Sequence, residues 1–114
     1  MEIKLTNRGN TLIAKFLGEL DDHTADYARQ KIDNEIIKPI TKNVIFDFTN
    51  LTFMDSSGVG VIMGRYKNIV KTNGKAAISC SNPQIIRLLE ISGISKVIPV
   101  YPNVDTALKV IRGE

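Results

Sequence analysis

The chain has 114 residues, 43% of them hydrophobic and 24% charged, with a net charge of +3 and a pI near 9.1. That length suits one compact domain and leaves no room for a second. No apolar run approaches the roughly 20 residues of a membrane helix, and the basic excess is spread without the Lys/Arg blocks of a nucleic-acid footprint. The opening "MEIKLTNRGN" lacks a secretory apolar core, so a cytoplasmic protein is expected. His23 is the sole histidine and no carboxylate cluster has calcium-loop spacing, so neither a metal nor any other cofactor is expected. The single cysteine, Cys80, follows "AAIS" and reads as a buried, inert thiol.

Taken from the N-terminus, residues 2–6 and 11–17 alternate apolar and polar side chains around "NRGN", which predicts a two-stranded hairpin. Ala25, Ala28, Ile32 and Ile36 then recur at helical spacing, and Pro39 stops that helix near Lys38. "NVIFDF" reads as a buried strand and "TNLTFM" as the loop after it. "VGVIMGRYKNIV" is the next helix, ended by the Asn-Gly signal of "TNGK". "KAAISC" is a short strand. "NPQIIRLLEISG" is a helix with Asn82 as cap, Pro83 in its first turn and Gly93 at its exit. "KVIPVY" is a strand whose Pro99 favours an edge, and "NVDTALKVIRG" closes the chain as a helix capped by Asn103. The order β-β-α-β-α-β-α-β-α predicts an α/β fold with a mixed five-stranded sheet covered by about four helices.

The chemistry-bearing stretch is "FMDSSGVG", residues 53–60. It joins a buried strand to an amphipathic helix, so Ser56 and Ser57 stand at a helix N-terminus. Asp55 or Ser56 then serves as the cap that accepts an orphan backbone N–H. Capping does not account for Gly58, Gly60 and Gly64, each of which costs about 1 kcal/mol against alanine inside a helix. Projection at 100° per residue puts Val59, Ile62, Met63, Tyr66 and Val70 on the core face. Ser57, Val61, Gly64 and Asn68 fall on the outer face, with Arg65 at its flank, and Gly60 lies nearer the sheet. A smooth, weakly charged outer face suits close approach by another protein.

Two enzymatic readings fare badly. A serine hydrolase needs a base, and His23 is the sole candidate, while the Gly-x-Ser-x-Gly elbow is missing. A phosphate-binding loop would carry its glycines before the hydroxyl, with a lysine beside it. A hydroxyl without its own base, exposed at a positive helix end, suits modification by an external kinase. The added charge of about −1.5 to −2 is tolerable at the helix dipole and unfavourable under a docked partner.

"FMDSSGVGVIMGRYK", with "GELDDHTA" before it and "LLEISGI" after it, resembles the STAS-domain anti-sigma factor antagonists. The resemblance spans essentially the whole chain and is nearest to the antagonists of sporulation stage II in Bacillus and its relatives. It implies a single STAS domain, a non-enzymatic regulator, and a phosphorylation-driven change of partner. The partner is an anti-sigma factor that is also a serine kinase and carries the ATP or ADP; a serine phosphatase reverses the modification. On this chain the modified hydroxyl is Ser56, with Ser57 as the second candidate, and Asp21 of "GELD" contacts the kinase. Asp55, Ser57, Gly58, Val61, Gly64 and Arg65 complete the expected partner surface. Asp21 also stands just before the first helix, where an aspartate commonly serves the dipole or a cap; if it serves the partner instead, Asp21→Ala should weaken binding and leave the melting temperature nearly unchanged. The general-stress version of the same switch and a small esterase are the alternatives.

Overall fold

The computed structural model describes residues 1–113. Five strands lie in the order β1-β2-β3-β4-β5: Glu2–Arg8, Thr11–Leu20, Asn43–Met54, Ala76–Ser79 and Val100–Tyr101. The hairpin pair β1–β2 is antiparallel and every later pair is parallel, giving the expected mixed sheet. Four α-helices connect or follow them: α1 Ala25–Ile36, α2 Ser56–Lys71, α3 Pro83–Ile91 and α4 Val104–Arg112. Each crossover steps one strand onward in the same direction. Right-handed crossovers of that kind deliver their helices to one face.

The two cores record this arrangement. Leu12, Ala14 and Phe16 of β2, with Val44, Phe46 and Phe48 of β3, face α1, α2 and α3. Ile13, Ile45 and Ala77 point the other way, onto Ala107, Leu108 and Ile111 of α4. The period-2 alternation of a strand therefore splits "LIAKF" and "VIFDF" cleanly between the two layers.

Several local expectations hold. Asn82 Oδ1 accepts from Gln84 N–H at 2.9 Å, Asn103 Oδ1 accepts from Thr106 N–H at 2.8 Å, and Pro83 opens α3. Asn73 takes the left-handed conformation after α2, at φ 62°. Cys80 is buried, and that burial raises its thiol pKa.

Two assignments need correction. "TNLTFM" is strand, because β3 runs on to Met54. It was hidden by two irregularities against β2, between Lys15 and Leu17 and between Gly18 and Glu19, each inserting one extra residue on the β3 side. The inserts break the alternation that identifies a strand, leaving Leu51 and Met54 buried three residues apart. Asp47, at the first irregularity, is buried and accepts from Thr49 N–H, Thr49 Oγ–H and Ser79 Oγ–H at 3.0, 2.6 and 3.0 Å. The second correction shortens the last strand to Val100–Tyr101, since Ile94–Lys96 forms a 3-10 turn.

α2 packs on the sheet and also on α1, and Arg65 crosses to Asp33 there with Nε 2.8 Å from Oδ1. The approach is off-axis, so neither atom completes a hydrogen bond and Arg65 Nη1 has no partner. Burial lowers the guanidinium pKa, Asp33 opposes that shift, and Arg29 adds to it. With Arg65 buried and the Asp33 side chain 41% exposed, a pair of this geometry contributes through charge balance more than through bonding. Asp33→Ala, which strands the guanidinium, should therefore cost about 2 kcal/mol, and Arg65→Met less than about 1 kcal/mol. Urea denaturation of both variants reads this directly; equal losses would mean that charge balance is not what the pair supplies.

Candidate functional site

The parallel register of β2 and β3 ends with Leu20 opposite Met54. The next residues are Asp21 and Asp55, and Asp55 N–H donates to Leu20 O at 3.2 Å. Two stretches more than thirty residues apart in sequence, "GELD" and "DSSG", thus leave the sheet side by side at its carboxyl end.

Asp55 is the cap. Its Oδ1 accepts from Ser57 N–H at 2.9 Å and from Gly58 N–H at 3.4 Å, satisfying two of the orphan donors of α2. Ser56 is the first residue of the helix and is exposed, whereas Ser57 is half-buried. This reverses the projection, which turned Ser57 outward. No side-chain hydrogen bond ties Ser56 to any of the described residues, His23 included.

Asp21 does structural work of its own. Its Oδ1 accepts from His23 N–H at 2.9 Å and Thr24 N–H at 3.2 Å, and its backbone carbonyl accepts from Ala25 N–H at 2.9 Å. Thr24 Oγ accepts from Asp21 N–H and donates to Glu19 O, closing the turn. The side chain is only 19% exposed. These bonds support the capping alternative for Asp21: an alanine there would remove the acceptor that organises the entry to α1. His23 stands beside Asp22 with Nδ1 at 3.0 Å from Oδ1, both exposed.

The outer face of α2 is rotated from its projected position. Val61 and Arg65 are buried at 5% and 8% exposure, and Val70, assigned to the core, is exposed. The cause is α1, which covers a second side of α2 that a single-face projection treats as solvent. Gly58 is also buried, against Leu20 and Met54. A Cβ there would meet Leu20 Cγ and Leu20 O at 3.0 Å, so this glycine is the one that permits close approach to the sheet. Gly60, expected nearer the sheet, is exposed instead, and a Cβ on it would touch nothing within 4 Å. Gly64 is half-exposed and equally unobstructed. Val61, Arg65 and Gly58 are thus withdrawn from the free surface, which runs along Ser56, Gly60, Gly64 and Lys67.

Phe53 belongs to the same end of the sheet and escaped the sequence reading. It lies opposite Glu19 and is 47% exposed, an aromatic on the carboxyl-end rim. Its signal was hidden in the segment read as a loop.

A family model described as the STAS domain matches residues 2–107. An anti-sigma F factor antagonist of Paenibacillus polymyxa is 41% identical over 108 residues, covering 95% of this chain and 92% of the relative. An anti-sigma-B factor antagonist of Listeria monocytogenes is 25% identical over 103 residues, 88% of each. Among solved structures, the anti-sigma factor antagonist SpoIIAA in its unphosphorylated form superposes with a TM-score of 0.78 at 25% identity, over 99% of this chain and 100% of the other. The phosphorylated form of the Bacillus SpoIIAA superposes at 0.74 with 26% identity, over 96% and 99%. With the domain matched almost end to end, and with that identity across nearly the full length of an antagonist, the chain belongs to the STAS-domain family of anti-sigma factor antagonists.

Proposed function

We propose that the chain is a phosphorylation-controlled partner switch. In the unmodified state it binds an anti-sigma factor serine kinase in the cytoplasm and thereby frees the sigma factor. The kinase transfers the γ-phosphoryl group of its bound ATP to Ser56 Oγ, releasing ADP and the hydroxyl proton, and a serine phosphatase reverses the step. The chain is then ligand and substrate, and the base and nucleotide belong to the kinase. The observation that carries this reading is Ser56 itself: an exposed hydroxyl in the first helical position, bonded to no described side chain, beside a capping carboxylate that is already engaged. Greater identity to the sigma-F-type relative than to the sigma-B-type relative supports a sporulation switch over the general-stress version.

The electrostatics set the direction of the switch. A phosphoryl group adds about −1.5 to −2 charges at neutral pH. At an open helix N-terminus it meets the positive end of the helix dipole and solvent. Beneath a docked partner the same dianion sits next to Asp55 with its water removed, which is strongly unfavourable.

Incubation with the anti-sigma kinase and ATP should place one phosphate on Ser56, read by phosphopeptide mass spectrometry. Ser56→Ala should bind the ADP-loaded kinase and accept no phosphate. The phosphorylated protein should bind about a hundredfold more weakly, equivalent to about 3 kcal/mol. Phosphate confined to Ser57, or equal affinity of the two forms in calorimetric titration, would overturn the reading.

Asp21 is tested by separating acceptor from charge. Asp21→Asn keeps a carbonyl oxygen for His23 and Thr24 N–H, so its melting temperature should stay within about 2 °C of the parent. Asp21→Ala should lose about 1 kcal/mol. If the carboxylate charge meets the kinase, both variants weaken binding by about tenfold, that is, by about 1.4 kcal/mol. Full kinase affinity in Asp21→Asn would confine this residue to its turn.

The unobstructed glycines make an opposed pair of predictions. Gly60→Ala should stabilise the domain by up to about 1 kcal/mol, because the new methyl meets nothing and the helix gains propensity. The same methyl stands where the kinase docks and should weaken binding about tenfold. A variant that is more stable and binds undiminished would show that the kinase approaches elsewhere.

A further inference from the structure

A second site lies at the opposite end of the sheet, where β2, β3 and β4 begin. A cavity of about 350 Å³ there is lined by Asn10, Lys42, Asn43, Asn73, Lys75 and Arg112, with Ile111 as its apolar member. We infer that it binds a compact polyanion, a small molecule bearing at least two phosphate or carboxylate groups. This inference is independent of the phosphorylation switch, and the cavity contains none of the residues at the carboxyl end of the strands.

Three observations converge on it. Among the described residues, three cations and three side-chain amides line one concavity, and no carboxylate does. Among the described residues, none of Lys42, Lys75 or Arg112 is in an ion pair. A clear excess of donors over acceptors is the arrangement that phosphate or carboxylate oxygens satisfy.

The walls are held by backbone bonds, so the cations spring from fixed points. Lys42 N–H and Asn43 N–H both donate to Asn10 O, at 2.8 and 3.1 Å. Lys75 N–H donates to Asn43 Oδ1 at 2.8 Å, and Lys75 O accepts from Val44 N–H at 3.0 Å. Gly74 lies so close that a Cβ would collide with the Lys42 carbonyl, which pins the Asn73–Gly74 turn against the start of β3.

Asn43 supplies a donor that the protein barely uses. Its residue is only 7% exposed, yet Nδ2 reaches Asn10 Oδ1 and Thr11 Oγ at 3.5 Å each, the outer limit of a hydrogen bond. A buried amide this poorly paired has capacity left for a ligand oxygen.

A bland alternative is that the cations serve helix dipoles, since helix C-termini gather at this end of a parallel sheet. It suits Arg112, in the last turn of α4. It does not suit Lys42 and Lys75, which precede strands.

The test is calorimetric titration of the full chain with inorganic pyrophosphate, and separately with citrate, at constant ionic strength, with acetate as control. Saturable one-to-one binding of pyrophosphate is expected. Lys42→Gln, Lys75→Gln and Arg112→Gln should each weaken it about tenfold, while Lys31→Gln, on exposed α1 surface, should not. Amide resonances of Asn43 and Lys75 should shift on saturation. Equal binding of citrate assigns the site to polyanions of either kind, and binding of pyrophosphate alone assigns it to phosphates. No saturable binding, or a loss that Lys31→Gln shares equally, would overturn the inference. So would cavity variants that melt lower and bind undiminished, which would return the cations to the helix dipoles.

Discussion

Everything at the carboxyl end of this sheet depends on where α2 starts, and the Asp55 cap decides that. Its Oδ1 takes Ser57 and Gly58 N–H, while its own N–H is held by Leu20 O. The first contact sets the helix origin; the second locks that origin to the neighbouring strand. Shifting the cap by one residue would rotate α2 by about 100°. Ser56 would leave the solvent, and Gly58 would leave the place on α2 where a Cβ has no room. The exposure of a single hydroxyl is therefore the product of sheet register, a capping carboxylate and a glycine packed on Leu20 and Met54.

The rest of α2 explains how its surface can be specialised without loosening the helix. Two of its sides are spent on internal contacts: Ile62 and Ile69 on the core beneath, Val61 and Arg65 toward α1 and the sheet. What remains is a narrow strip through Ser56, Gly60, Gly64 and Lys67. Two glycines on that strip have no internal neighbour that their smallness accommodates. Their propensity cost is uncompensated by packing within the domain, and the proposed docking of a partner on this strip would give their smallness a use. Gly58 shows the opposite case, a glycine explained entirely by packing.

How much of this was legible beforehand depended on how local the physics is. Caps were readable because one side chain bonds a backbone group two or three residues away: Asn82, Asn103 and the alternatives at Asp55 and Ser56 all stood in the sequence. The βαβ order followed from periodicity. The continuation of β3 did not, because the inserts opposite Lys15–Leu17 and Gly18–Glu19 scramble the alternation that reveals a strand. The burial of Val61 and Arg65 was also invisible, since it depends on α1, a neighbour no helical wheel contains. The structural use of Asp21 was half legible: its place before a helix suggested an acceptor, but not that His23 and Thr24 would both rely on one oxygen.

The same geometry would let the proposed switch work without refolding the protein. Asp55 is already committed to two N–H groups, so a phosphoryl group on Ser56 meets the positive end of α2 with the cap still in place. Helix-end interactions of this kind are worth about 0.3–1 kcal/mol, enough to offset part of the new repulsion from Asp55 while water screens the remainder. Removal of that water by a docked surface cancels the screening and strips the dianion of its hydration, a loss that the small helix-end interaction does not replace. The imbalance appears only in the complex. A domain built this way can alter its company by several kcal/mol while its own stability moves little, because the two charges that conflict are adjacent in sequence and differ only in whether solvent reaches them.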